Sequence, residues 1–130
     1  EKFENFVWLK ELEYPNKVQE FLNEIDIFLF LTGLEGLGQS IIEAALMKKP
    51  IIASNTGGVG DLIYNNVNGF LIEQGEHEKI CQIIKNCIQD PDLANNMGEK
   101  AYVSVKEKFD WKNIAREFFK IIKEDGFLKK

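Results

Sequence analysis

An α/β fold, a parallel sheet with helices on both faces that runs on into a helical segment, is what the order of apolar and amphipathic stretches predicts. Short apolar runs alternate with stretches of helical period in the order β-α-β-α-β-α-β, and the remainder is helical. Such alternation requires crossover helices and hence a parallel sheet. The strongest run, Ile25–Leu31 (IDIFLFL), is apolar almost throughout, as suits a strand covered on both faces. Two strand-to-loop-to-helix corners follow closely within Leu34–Asp61. In open α/β sheets such corners lie at the carboxyl ends of the strands, where ligands bind.

Taken in order, Asn5–Leu9 (NFVWL) reads as a short buried strand. Pro15 and Asn16 start a helix in which Val18, Phe21 and Leu22 recur at helical spacing. After the strand Ile25–Leu31, Thr32–Gly38 is a loop whose glycines allow backbone angles other residues avoid. Ser40–Met47, opening at Gln39 or Ser40, is a short helix with little charge and therefore largely buried; Lys48 and Lys49 suit its C-terminal dipole. Pro50 begins the next strand, IIAS, where a missing N–H is tolerated. Asn55–Gly60 is a loop, Asp61–Tyr64 a helical turn, Asn65–Gly69 turn chemistry and Phe70–Ile72 the last strand. Glu76–Gln89 places Ile80, Ile83, Ile84, Cys87 and Ile88 on one stripe. Asp90-Pro91 ends it and opens a helix with Leu93, Met97 and Ala101 on one face. Asp110 is the expected N-cap of the last helix, Trp111–Lys123, which uses Ile114, Phe118 and Ile121 or Ile122.

The 130 residues suffice for one domain with a core, and 45% hydrophobic with 28% charged residues is a globular balance. A net charge of −5 carries no electrostatic footprint for nucleic acid. The longest apolar run, Ile27–Leu31, is too short to span a membrane. Cys81 and Cys87 fall on different faces of one predicted helix and are not expected to pair; free thiols suit a reducing cytoplasm. The chain opens at Glu1, without Met, and reads as a piece of a longer protein.

The chemistry concentrates around two acids, Glu35 and Glu43. One regular helix face cannot present both, because eight steps rotate the second by about 80°. With Glu35 in the loop and Glu43 one turn into the helix, both can border one cleft, and the N–H groups of Gly38, Gln39 and Ser40 then point between them. Free N–H groups at a helix start suit phosphate, and carboxylates accept hydrogen bonds from sugar and ribose hydroxyls. A nucleotide sugar carries both kinds of group. On spacing alone, a plain tight turn at Gly36 and Gly38 with Glu43 as a solvated helix residue is the favoured reading. Gly57 and Gly58 in the loop TGGVG are of the kind that lets backbone approach a ligand, with Asp61 as a further acceptor, but the spacing is not a dinucleotide fingerprint; taken alone, the loop reads better as a turn between strand and helix. His77, the one histidine, lies among Glu76, Glu78 and Lys79 and reads as a surface residue. No nucleophile–histidine set and no clustered metal ligands can be assembled from the sequence.

The run D-I-F-L-F-L-x-x-L-E-G-L-G-Q-S-I-I-E-A-A-L-M-K-K-P-I-I-A-S-N-T-G-G-V, from Asp26 to Val59, resembles the signature of retaining glycosyltransferases of the GT-B architecture. These are the sugar transferases with a Glu-x7-Glu motif, glycosyl transferases group 1. The later N-x-x-x-G-F-L-I, D-P-x-L-x-x-x-M-G and F-D-W-x-x-I-A stretches match as well, so the resemblance covers nearly the whole chain. It implies a Rossmann-like sheet, with residues 1–130 forming part of the C-terminal nucleotide-sugar-binding domain.

The resemblance also implies roles. Glu35 would be the catalytic-site acid, contacting donor sugar hydroxyls, and Glu43 would bind the ribose hydroxyls. The backbone of Gly36, Leu37, Gly38, Gln39 and Ser40 would lie against sugar and diphosphate, with Gly57 and Gly58 as further loop contacts. The donor would be a UDP-, GDP- or ADP-linked sugar, and transfer would retain configuration without an obligatory metal or other cofactor. The acceptor, a glycan or a lipid-linked one, would bind an N-terminal domain outside this chain. The pathway would be glycan or envelope polysaccharide synthesis, in the cytoplasm, with the parent at the inner face of the membrane.

Three departures from the family pattern stand out. Thr32-Gly33 replaces the usual P-S. Val59-Gly60-Asp61 replaces V-P-E, which predicts a looser loop. Lys48 or Lys49 replaces the family's small residue before Pro50. The family's first two strands and its basic Arg/Lys pair precede the residues matched here, so the chain is expected to hold half of a donor site and to be inactive alone. Another enzyme of the same architecture, such as a sugar epimerase or phosphorylase, and a non-catalytic binding module are the alternatives. By the family's strand order, the absent strands lie between Asn5–Leu9 and Ile27–Leu31. Asn5–Leu9 is then expected either to slide into that place or to leave an edge at which two copies pair as a homodimer.

Overall fold

A computed structural model describes residues 5–124. Helix α1 (Asn16–Glu24) leads into strand β1 (Phe28–Phe30), helix α2 (Gln39–Leu46), strand β2 (Ile51–Ser54), a 3₁₀ turn (Gly57–Asp61) and strand β3 (Phe70–Ile72). Helices α3 (His77–Gln89), α4 (Pro91–Lys108) and α5 (Trp111–Glu124) follow. The strands pair in parallel in the order β1-β2-β3, with Phe28 opposite Ile51 and Ile52 opposite Phe70. This is the parallel α/β layer and helical ending that the alternation predicts.

Because side chains alternate across a strand, β2 feeds two cores. Ile51 and Ala53 enter one with Leu22 of α1, Ile41, Ala44 and Ala45 of α2, and Ala101 and Val105 of α4. Ile52 faces the other, with Phe70 and Ile72 of β3, Ile80, Ile83 and Cys87 of α3, and Met97 of α4. Ile51, Ile52 and Ala53 are wholly buried, so β2 is the doubly covered strand. Burial, and then the Asp90 carboxylate, push the Cys87 thiol above its ordinary range, and both cysteines are free. The predicted Asp110 cap forms, its carboxylate accepting from the Lys112 and Asn113 N–H groups at 2.8 and 3.1 Å, and the Asp90 carboxylate also caps α4, accepting from the Leu93 N–H at 3.0 Å.

Three expectations are corrected. Asn5–Leu9 is not a strand: it runs outside the sheet, with Phe6, Val7 and Trp8 at 70%, 76% and 80% exposure. It does not slide in beside β1, which pairs with β2 alone among the described residues; without a neighbouring ladder, five apolar-rich residues have no hydrogen bonds to make them a strand. For the same reason β1 is shorter than Ile25–Leu31 and only half covered, Leu29 being 44% exposed. The helical turn lies at Gly57–Asp61 instead of Asp61–Tyr64. The wholly buried Val59 anchors it, its carbonyl accepting from the Leu62 and Ile63 N–H groups. Val59, Gly60 and Asp61 thus lie within a hydrogen-bonded turn. Beyond it the turn is held by Asn68, 1% exposed, whose amide accepts from the Tyr64 N–H at 2.6 Å and donates to the Leu62 carbonyl at 3.0 Å. No helix among the described residues is long and apolar enough to cross a membrane.

Candidate functional site

The corner after β1 is built by contact between two loops. The Gly58 N–H donates to the Gly36 carbonyl at 2.9 Å. A Cβ at Gly57 would fall 1.8 Å from the Glu35 carbonyl oxygen, and one at Gly58 would fall 2.0 Å from that of Gly36. Glycine is thus demanded at both positions by the chain's own backbone. The Thr56 hydroxyl donates to the Gly33 carbonyl at 3.3 Å, and the Thr32 N–H to the Ser54 hydroxyl at 3.1 Å, tying the ends of β1 and β2 together. A Cβ at Gly33 or Gly36 meets nothing within 4 Å, so these two face open space.

The Glu35 side chain folds back over its own turn. One carboxylate oxygen accepts from the Gly36 N–H at 2.8 Å and the Gly38 N–H at 3.2 Å. Gly38, at φ +77°, is the N-cap of α2, a left-handed conformation suited to glycine. The Gly38 N–H, read from sequence as free, is therefore occupied by Glu35. Gln39 and Ser40 form the exposed first turn of α2, where N–H groups have no intrahelical partner. Leu37 is 49% exposed beside them.

Glu43 is half-buried in the second turn of α2 and lines a groove of about 150 Å³ between α1 and α2, with Tyr14, Val18, Leu22 and Met47. No hydrogen bond joins Glu35 to Glu43 among the described residues; the first turn of α2 separates them.

A cleft lies beside this corner, at the carboxyl ends of all three strands. It measures about 610 Å³ and is lined by Thr32 and Gly33 after β1, Ser54, Asn55 and Thr56 after β2, and the segment Glu73–His77 after β3. Asn55 donates to the Glu73 carboxylate at 2.6 Å. Glu76 accepts from the Glu73 N–H at 2.9 Å and from Lys79 at 2.8 Å. The Lys79 hydrogen bond, and then that from Glu73, hold the Glu76 carboxyl below the usual range. Sequence reasoning missed Glu73, Gln74 and the placement of His77 here. The rule that ligands gather at strand ends, applied to β3 as it was to β1 and β2, points to them.

A parallel layer whose strand ends carry a glycine corner, the opening of a helix and a polar cleft defines an α/β domain with the geometry of a strand-end ligand site. The chain belongs to the glycosyl transferases group 1 family, which residues 2–104 match. It is similar to the capsular polysaccharide biosynthesis glycosyltransferase CapM of Staphylococcus aureus, at 30% identity over 124 residues, 92% of this chain and 32% of that protein. The crystal structure of Anabaena Alr3699/HepE in complex with UDP-glucose aligns with a TM-score of 0.71 and 27% identity, over 81% of this chain and 29% of that one. The C-terminal domain of a glycosyl transferase group 1 family protein (LpcC) from Francisella tularensis shares the fold, with a TM-score of 0.71 at 23% identity over 79% of this chain and 53% of that one. The chain spans about a third of the length of CapM.

Proposed function

We propose that residues 1–130 are part of the C-terminal, donor-binding domain of a glycosyltransferase whose whole chain moves a sugar from a nucleotide-sugar donor to an acceptor hydroxyl, with retention of configuration. The observation that carries this reading is the Glu35–Ser40 corner: a carboxylate, exposed backbone and the opening of α2 converge at the end of β1 in a chain of this family. Glu35 contacts the hydroxyls of the donor sugar, leaving its own turn to do so. Glu43 takes the ribose hydroxyls. The backbone from Gly36 to Ser40 lies against sugar and diphosphate, where N–H groups and the α2 dipole offset the charge that develops on the leaving group. Gly57 and Gly58 hold the corner from behind. The UDP-glucose complex of the similar Anabaena protein supports a nucleotide-sugar donor, and the similarity to CapM supports polysaccharide synthesis as the setting, in the cytoplasm at the inner face of the membrane. The acceptor, glycan or lipid-linked, meets the donor through a further domain.

The 130-residue chain alone is expected to transfer no sugar and to bind nucleotides only weakly. Calorimetric titration with UDP-, GDP- and ADP-sugars measures this; tight binding of any of them means the chain holds a complete donor site.

The free edge of β1 gives a second expectation. An unpaired, partly apolar strand edge is a template for association, and Phe6, Val7, Trp8 and Leu29 are exposed. The isolated chain should form a two-fold homodimer through this region. Sedimentation across concentrations, beside a Phe28→Lys variant, reads the outcome: a concentration-independent monomer rules the dimer out.

A further inference from the structure

The cleft at the ends of β1, β2 and β3 contains none of Glu35, Glu43 or the Gly36–Ser40 backbone, so the donor reading leaves it without a ligand. At about 610 Å³ it has the size of a small-molecule site. Its chemistry selects among ligands. Glu73 and Glu76 line it, and no lysine or arginine does; Lys79 is spent on Glu76. Two carboxylates without a lining lysine or arginine disfavour a diphosphate. A metal ion is also poorly served, since no group of three or more His, Cys, Asp or Glu side chains among the described residues is placed to hold one.

What remains is a neutral ligand rich in hydroxyls. One Glu73 oxygen is engaged by Asn55, which leaves the other, and the Asn55 amide oxygen, to accept from hydroxyl groups. The Ser54 oxygen accepts from the Thr32 N–H, which leaves its proton to donate. Leu31, Ile72 and Ile80 also line the cleft, an apolar surface for the C–H face of a ring. Gly33, on the cleft wall, stands two residues before Glu35, so a ring held here lies next to the donor corner.

We propose that this cleft binds a hydroxyl-bearing sugar ring separate from the donor nucleotide sugar. The assignment rests on the donor reading of the Glu35 corner, and its test separates the two. Backbone amide shifts of the ¹⁵N-labelled chain are followed during titration with methyl α-D-glucopyranoside, UDP and UDP-glucose, at millimolar concentrations suited to weak binding. The glucoside is expected to shift Thr32, Ser54–Thr56 and Glu73–His77 and to leave Gly36–Ser40 unmoved, whereas UDP does the reverse. Glu73→Ala, at an exposed position, should weaken glucoside binding about tenfold without altering the UDP response. The proposal is overturned if the glucoside shifts none of the cleft amides, if UDP shifts them, or if UDP-glucose shifts them where UDP does not, since the ring would then be the donor's own. A full-length parent that transfers sugar unimpaired with Glu35→Gln would instead sink the donor reading, whatever the glucoside does.

Discussion

Glu35→Gln in the full-length parent is expected to lower sugar transfer by about a hundredfold while leaving the melting temperature within about 2 °C of the unaltered enzyme. The amide oxygen of glutamine can still accept from the Gly36 and Gly38 N–H groups that Glu35 now engages, so the turn is kept. The charge that grips a sugar hydroxyl is lost. Glu43→Gln should act differently. A ribose contact lies away from the reacting bond, so its loss raises the donor KM, about tenfold, more than it lowers kcat. Steady-state kinetics against donor concentration, with thermal melts of the same preparations, read both effects. Variants that lose stability but keep full activity in their folded fraction would make the two acids structural and remove the donor assignment.

The glycines divide into those the fold needs and those it leaves free. Gly98, in the middle of α4, would place a Cβ 1.9 Å from the Lys48 carbonyl oxygen. In an open helix Gly→Ala gains about 1 kcal/mol. Here the backbone behind it must move, which costs about 3 kcal/mol or more, so the sign reverses and the melting temperature should fall by about 10 °C. Gly58→Ala meets the Gly36 carbonyl oxygen at 2.0 Å and should lose comparable stability while also displacing the corner that carries Glu35. Gly36→Ala is the informative contrast. Its Cβ enters open space, so stability should hold, and only donor turnover should fall if sugar and diphosphate lie against that backbone. Melting curves and turnover for the three variants together distinguish packing from ligand contact. A Gly36→Ala enzyme with unchanged donor kinetics means the donor does not approach there.

Much of the fold was legible because it is local. The stripe Ile80, Ile83, Cys87, the break at Asp90-Pro91, the cap Asp110 and the run IIAS each specify their element without reference to distant chain. Asn5–Leu9 has the composition of a strand, but a strand exists only with a partner, and the described residues provide none at the β1 edge. The positions of Glu35 and Glu43 were legible as a motif. That Glu35 lies over its own turn was not, since it depends on the left-handed Gly38 and the loop packed behind it. The cleft was hidden for a related reason. Its lining comes from three separate strand ends, and only the sheet register brings Ser54 beside Ile72 and with it Asn55 beside Glu73.

The most direct test of the central claim is a crystal structure of the full-length parent with the nucleotide sugar that it turns over. The account predicts ribose hydroxyls on the Glu43 carboxylate, sugar hydroxyls on Glu35 swung away from Gly36 and Gly38, and the diphosphate beside the first turn of α2. A donor seated in the cleft between Asn55 and Glu73, with Glu35 still folded over its turn, would contradict it.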